Sequence, residues 1–474
     1  MVSSHEVGVI GMATMGKGVA RNLARKGFKI AIQSRNYEKA LQFYESLSGT
    51  EKQNMTLYRD LEDFVMSLSR PRKIMMLVKA GASTDELIFK LLPLLSPGDI
   101  LMDLGNSFYG DTDRRMAELE SRGIHFMGIG ISGGEKGALN GPSVMAGGPM
   151  DAWNAVSHFL DALSADHPES GKCCGYFGPG GAGHFVKMIH NSIEYAYMEI
   201  LSEIYLLMRE VYGLSAKEAG DAFANFSGDS DVSSYLVEIT EKILRRQDDL
   251  TNNPLIEMIS DRAGNKGTGR WAVESALASG VAAPTLAEAV FVRYLSAERN
   301  THCVDKEKDK NAEKVNLLPF RTEELDSLRR VLEFSQYICF DQGVRLIRRV
   351  AQEKGWKINY SDILRIWENG CIIRTAFSWK MKEALEREAD LPSFCDDPII
   401  GRILSDNVES AIDISSKAMA FGVPVFCITS VINYYHGLRA ELLPTVLVQA
   451  QRDFFGAHTY MRNDREGTFH TEWE

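Results

Sequence analysis

Apolar and polar positions along the chain fall into two regimes. Up to about residue 131, short apolar runs at Val7–Ile10, Phe28–Ile32, Ile74–Val78, Ile100–Leu104 and His125–Ile131 alternate with amphipathic stretches, among them 61–68, 84–95 and 112–122. Strands and helices alternating at these lengths predict a doubly wound parallel sheet. From Gly181 onward the apolar positions recur with helical spacing, through 183–195, 199–212, 234–246, 285–295, 323–354 and 399–420. A chain of 474 residues exceeds what one core organises. The expectation is an α/β N-terminal Rossmann-like domain over 1–180, a large all-α domain over 181–441 and a C-terminal tail over 442–474.

The first strand runs into Gly11-Met-Ala-Thr-Met-Gly16, a G-x-A-x-x-G form of the dinucleotide turn. Gly11 permits the tight turn, Ala13 is small enough for a pyrophosphate to approach, and Gly16 lets the next helix pack on the strand. A purely structural turn between strand and helix can share this pattern, so the end of the second strand carries more weight. There Gln33-Ser34-Arg35-Asn36 places a cation and small polar side chains where an NAD-selective fold has an acid. Arg35 suits a 2′-phosphate, and the expected coenzyme is NADP. Ligands of such sheets sit beyond the carboxyl ends of the strands. Three polar or glycine-rich turns fall there: Val78-Lys79-Ala80-Gly81, Gly105-Asn106-Ser107 and Ser132-Gly133-Gly134.

The two regimes meet at Gly183 to Tyr195. In helical spacing Lys187, His190, Asn191, Glu194 and Tyr195 share one face, while Val186, Ile189, Ile193 and Ile200 form a separate packing stripe. A solvated face usually repeats Glu and Lys. Five different functional groups fit a site better, with Lys187 and Glu194 as a base and acid pair. Farther on, Asn265-Lys266-Gly267-Thr268-Gly269-Arg270 offers a cation, a hydroxyl and backbone amides to a phosphate, or is an ordinary loop. It is not a P-loop, because the lysine precedes the glycines. Arg293 lies amid Phe291, Val292, Tyr294 and Leu295, where a cation either snorkels to solvent or meets an anion. In the tail, Phe454, Phe455 and Tyr460 are expected to dock on something, a second subunit being one candidate.

Composition removes several alternatives. Hydrophobic residues at 45% and charged residues at 25% are those of a globular protein, and a net charge of −11 argues against nucleic-acid or acidic-membrane partners. Seven scattered cysteines without a C-x-x-C pair argue against a disulfide framework or a structural metal, and for a reducing compartment. With no apolar run of membrane-spanning length and no signal-peptide pattern, the expected location is the cytoplasm.

These stretches together resemble the NADP-dependent 6-phosphogluconate dehydrogenases from end to end. The matching motifs are Gly11 to Gly16, Leu77-Val-Lys-Ala-Gly81, Gly105-Asn-Ser107, Ile131-Ser-Gly-Gly-Glu135, Gly183-His-Phe-Val-Lys-Met188 with His190-Asn191 and Ile193-Glu-Tyr195, Lys266-Gly-Thr-Gly269, Gly370-Cys-Ile-Ile-Arg374, Gln449-Ala-Gln-Arg-Asp453 and Phe455-Gly-Ala-His-Thr-Tyr460. The resemblance implies metal-free oxidative decarboxylation of 6-phosphogluconate to ribulose 5-phosphate. It implies Lys187 as the base that takes the C3 hydroxyl proton and Glu194 as the acid that protonates C1 of the enediol left after loss of carbon dioxide. Asn106, Ser132, Gly133, Gly134, His190 and Asn191 would hold the sugar acid. Tyr195, Lys266, Thr268 and Arg293 would hold its phosphate, joined by Arg452 and His458 from the partner of a homodimer. Met15, Val78, Lys79 and Asn106 would line the coenzyme, with Ser34, Arg35 and Asn36 at its 2′-phosphate. The chain departs from the family pattern at Leu104, where glycine is usual, and at Lys136, Leu139, Ala146, Glu368, Asn369 and Leu438, while keeping both proposed catalytic residues. Two other readings remain: a catalytically weak paralogue that senses NADP or sugar phosphate, and another β-hydroxyacid dehydrogenase, which would leave Lys266, Thr268, Arg293 and Arg452 idle.

Overall fold

The structure is a computed structural model and describes residues 5–298 and 317–473. Cys303, one of the seven cysteines, lies outside them; the other six are free and buried.

The first layer is a sheet. Its strands are β1 (Val7–Ile10), β2 (Ile30–Gln33), β3 (Met55–Tyr58), β4 (Lys73–Met76), β5 (Ile100–Asp103), β6 (His125–Ser132) and β7 (Ser143–Gly147). A small hairpin, β8 (Asp166–His167) with β9 (Gly171–Lys172), precedes the last strand, β10 (Cys174–Tyr176). The order across the sheet is β10-β7-β6-β5-β4-β1-β2-β3. Strands β1 and β5 are buried along their whole length, as a parallel sheet covered on both faces requires. Separate apolar clusters fill the two faces, one around Val9, Ile32 and Met102 and one around Ile10, Phe64 and Leu101.

The expected all-parallel sheet is corrected at one edge, because β7 runs antiparallel to β6. Only the short helix Gly134–Asn140 joins them, and a parallel return needs a crossover of about a dozen residues or more. Strands β3, β7 and β10 were absent from the hydrophobic pattern. Each is only three to five residues long, and β3 is a half-exposed edge strand. The third expected strand ends at Met76 instead of Val78, which leaves Leu77, Val78 and Lys79 in the following turn.

The second layer is helical. The expected segments 183–195 and 199–212 form one continuous helix, Ala182–Glu210, since neither glycine nor proline interrupts residues 184–212. It stops at Gly213, whose φ of +71° a side chain would strain. A long helix, Thr322–Lys354, packs alongside it and against Pro398–Ala420, which starts where Asp397 accepts the amides of Ile399 and Ile400 at 3.0 and 2.9 Å. Helices at Ala216–Gly228, Thr268–Ala278, Tyr360–Trp367, Ser378–Arg387 and Phe426–Arg439 were not among the expected ones. The tail forms the helix Thr445–Gly456 and a two-strand hairpin, Tyr460–Met461 with Thr468–Phe469. Asp453 ties these together: it is fully buried and accepts from Thr459 N (2.9 Å), His470 Nδ1 (2.9 Å), Thr471 N (3.1 Å) and Trp473 Nε1 (2.9 Å). Burial works to raise its pKa, but the donors outweigh it and hold the carboxyl at about 2.

Candidate active site

The start of the helix Ala182–Glu210 lies directly on the sheet, and alternate residues of β6 explain how. A Cβ at Gly128 would stand 2.7 Å from His184 Nδ1, and one at Gly130 would stand 2.2 Å from Lys187 Cβ. The third residue in this row, Ser132, meets His190 Nε2 through its Oγ at 3.0 Å. The polar face of the helix is therefore buried against the end of a strand, not solvated: Lys187, His190 and Asn191 are each less than 9% exposed.

Burial sets the chemistry of this face. It lowers the Lys187 pKa to about 8, against the opposing pull of Glu194 and Cys371. Glu194, closer to the rim, is raised by burial, with Lys187 and Arg293 acting against the shift. His190 is pushed down by burial and by the charge of Lys187, so its ring is neutral. Its Nδ1 lies 3.4 Å from Lys187 Nζ, 3.2 Å from Asn191 Oδ1 and 3.8 Å from Glu194 Oε2. A lysine brought toward neutrality and a glutamate brought toward protonation share one pocket, the pattern expected of paired base and acid. Perturbation alone does not mark a site. Glu203 on the same helix is raised to about 8 by burial, yet it accepts the amides of Cys427 and Ile428 at 2.7 and 2.9 Å and so holds the next helix start.

The segment Gly370–Arg374 closes the pocket from behind. Ile372 N donates to Ser132 Oγ at 3.3 Å, and Gly133, at φ +126°, has no room for a Cβ because Gly370 O would lie 2.4 Å away. Gly134 also has positive φ, with open space around it. Neither Ile372 nor Cys371 was singled out beyond its motif, because only the fold brings them behind Ser132 and Lys187.

Above the sheet's carboxyl edge a cavity of about 500 Å³ is lined by Gly11, Ala13, Ser34, Arg35, Asn36, Val78 and Lys79, seven of the expected coenzyme residues. Gly16 is needed where it is, since a Cβ there would stand 1.8 Å from Gly11 O. The helix Thr14–Arg25 begins at Ala13 with no side-chain cap and no acid in its first turn, so its amides are open to a pyrophosphate. Arg35 is exposed and forms no ion pair among the described residues, while Asn36 accepts Lys39 N at 3.1 Å. These features fit a dinucleotide with a 2′-phosphate. Met15 and Asn106 lie outside the cavity lining, Met15 half-buried and Asn106 exposed at the tip of its turn. One wall escaped the sequence reading: Ser83, Glu86, Leu87 and Lys90 share a face of the helix Ala82–Leu91, at a spacing the sequence already contained.

Of the phosphate candidates, Tyr195, Thr268 and Arg293 come together beyond Glu194; Lys266, Arg452 and His458 are not brought against them. The Arg293 guanidinium stacks on the Tyr195 ring at 3.4 Å and donates to Gly264 O at 3.1 Å. Tyr195 also packs against Gly269, where a Cβ would lie 2.9 Å from the ring, so Thr268 at the start of Thr268–Ala278 is buried beside it. Lys266 is exposed in the preceding loop. Arg452 and His458 are exposed on the tail, and among the described residues Arg452 donates to Gln449 Oε1 at 3.0 Å.

Residues 183–473 match the model of the 6-phosphogluconate dehydrogenase C-terminal domain, and residues 6–178 match that of the NAD binding domain of 6-phosphogluconate dehydrogenase. The chain belongs to the 6-phosphogluconate dehydrogenase family. A Bacillus subtilis relative named as the NADP(+)-dependent, decarboxylating enzyme is 42% identical over 472 residues, covering 100% of both chains. A Staphylococcus aureus decarboxylating enzyme is 40% identical, covering 99% of each. The solved Plasmodium falciparum 6-phosphogluconate dehydrogenase, studied in its apo form and with NADP+ or 6-phosphogluconate, superposes with a TM-score of 0.91 at 34% identity, over 99% of this chain and 100% of that one. Of the residues that depart from the expected pattern, Leu104 is buried in the sheet core, and Glu368 pairs with Lys382 at 3.2 Å.

Proposed function

We propose that this chain catalyses oxidative decarboxylation of 6-phospho-D-gluconate to D-ribulose 5-phosphate and CO2, reducing NADP to NADPH. The observation that carries this is the pair of buried Lys187 and half-buried Glu194, displaced in opposite senses from their usual pKa values, between the NADP cavity and a cluster of phosphate-seeking groups. Neutral Lys187 takes the C3 hydroxyl proton. NADP, when bound, accepts the hydride from C3. The resulting ammonium of Lys187 returns a proton to the C3 oxygen as the C1–C2 bond breaks and CO2 leaves. Glu194, whose pKa burial raises, then serves as the acid that protonates the former C2, which becomes C1 of ribulose 5-phosphate, while Lys187 reclaims the enediol hydroxyl proton.

In this reading Ser132, Gly133, Gly134, Asn106, His190 and Asn191 hold the sugar acid, and Tyr195, Lys266, Thr268 and Arg293 hold the phosphate. Ser34, Arg35 and Asn36 receive the 2′-phosphate; Gly11, Ala13, Met15, Gly16, Val78, Lys79 and Asn106 serve the rest of the coenzyme. Residues 1–180 supply the NADP domain, 181–441 the helical domain and 442–474 the tail. Arg452 and His458 complete the site of a second copy. The exposed apolar row Leu442, Leu443, Val446, Leu447, Phe454 and Phe455 supports this, since an isolated monomer rarely leaves such a surface uncovered. No described helix is long and apolar enough to cross a membrane. Free, buried thiols support a cytoplasmic location.

A non-catalytic sensor of NADP or sugar phosphate would have no need of the opposed pair. The test mixes purified protein with 6-phosphogluconate and NADP and follows NADPH and CO2. Equal amounts of both are expected; NADPH without CO2, or neither product, would refute the proposal.

A further inference from the structure

One buried histidine has no part in the chemistry above. His184 sits one turn before Lys187 and is 1% exposed. Its Nε2 lies 3.0 Å from the backbone oxygen of Asp103, and its Nδ1 lies 2.7 Å from Thr112 Oγ1. A carbonyl only accepts, so Nε2 carries the proton, Nδ1 accepts, and the Thr112 hydroxyl donates. Burial lowers the pKa of the ring and favours this single neutral tautomer.

The other end of the contact is the Gly105-Asn106-Ser107 turn. The Asp103 carboxylate accepts Gly105 N at 2.9 Å and Ser107 Oγ at 2.6 Å, so Asp103 shapes the turn with its side chain and anchors it with its carbonyl. Arg115, 1% exposed, approaches the same carboxylate at 3.6 Å and donates to Gly81 O at 3.0 Å, which ties in the turn bearing Lys79. Gly128 makes the arrangement possible, because a Cβ there would collide with both His184 and Thr112.

We propose that His184 is a positioning residue that clamps the turn carrying Asn106 to the helix carrying Lys187, fixing the distance between a ligand-holding group and the base. The proposal rests on Asn106 contacting substrate or coenzyme. Without the clamp the direct side-chain link from this helix to the carboxyl end of β5 is lost, and the nearest remaining polar tie is Gly181 N to Asp113 Oδ1 at 2.8 Å. The hydroxyl of Thr112 then keeps only its long contact to Phe108 O at 3.4 Å, and the carbonyl of Asp103 loses the imidazole donor in a dry interior.

A double-mutant cycle tests it, with His184→Leu and Asn106→Ala separately and together, reading kcat/KM for 6-phosphogluconate at saturating NADP. His184→Leu is expected to lower kcat/KM by about tenfold or more alone and by less than about twofold in the Asn106→Ala background, because residues acting through one another are not additive. His184→Gln, whose amide both donates and accepts, is expected to stay within about threefold of wild type. An equal loss in both backgrounds would overturn the clamp and leave His184 a general stability residue. A harmful Asn106→Ala with a harmless His184→Leu would remove the clamp alone. A harmless Asn106→Ala would remove the Asn106 assignment and the clamp's purpose together. If the leucine variant does not fold, Thr112→Val enters the same cycle with the same expected pattern.

Discussion

The two ends of the candidate site are built differently. At the sheet end Lys187, His190 and Asn191 are buried, and each is held by the chain's own strand β6 or helix. At the other end Arg293 is stacked on Tyr195 beside buried Thr268, while Lys266 and the proposed tail contributors Arg452 and His458 are exposed. The buried end has a lysine and a glutamate displaced toward a base and an acid; the open end is a set of exposed groups that, in the proposed reading, an anion and a second chain would complete. Chemistry that depends on pKa displacement requires dryness, which a single folded chain provides. Phosphate binding needs only converging cations, and these can come from two chains.

Loss of the buried base should have the largest effect. Lys187→Met is expected to lower kcat by about a thousandfold or more, as removal of a general base does. The same change should stabilise the protein. With a folded-state pKa near 8 and an ordinary value of 10.5, the penalty for burying charged Lys187 is full below about pH 8 and fades as pH rises toward 10.5. The gain on substitution is thus expected to reach up to about 3 kcal/mol at pH 7 and to vanish above about pH 10.5, as followed by denaturant melts. In the wild type, kcat/KM should rise with pH and level off above about 8, where Lys187 is neutral. A flat profile would show that another group is the base.

Next comes Glu194→Gln, expected to cost about a hundredfold in kcat while hydride transfer to NADP persists in the first turnover. NADPH formation slowed in the same proportion would contradict the split of roles. At the open end, Lys266→Ala is expected to raise KM for 6-phosphogluconate about tenfold and to change kcat little, since it removes binding and not chemistry. The smallest change is at the coenzyme: Arg35→Asp should shift the NADP/NAD preference toward NAD, and an unchanged ratio would place the 2′-phosphate elsewhere.

Much of this contrast was legible in the sequence, for reasons that can be named. Spacing on a helix put Lys187, His190, Asn191 and Glu194 on one face, and the glycines at 11 and 16 with Arg35 pointed to the coenzyme. The burial of that face was not legible. It depends on Gly128 and Gly130 of β6, whose role appears only once a helix lies across them. Strand β7 reads Ser143-Val-Met-Ala-Gly147, whose small and polar ends leave no clear apolar run, so the antiparallel edge was missed too. Ile372 is far from Ser132 in sequence, and no local pattern announces a contact between them. The open end was legible through its residue types alone. The proposed completion of that end by a second chain has no local signal in the sequence.

That last point admits a direct measurement. Lys187→Met chains and Arg452→Ala chains, each nearly inactive, are mixed under conditions that allow subunits to exchange. If the tail serves its partner, every mixed dimer holds one intact site, with Lys187 of one chain and Arg452 of the other. Random pairing then restores about one quarter of wild-type activity. Activity no greater than the sum of the two separate proteins would contradict the account and place Arg452 in the site of its own chain or outside the site altogether.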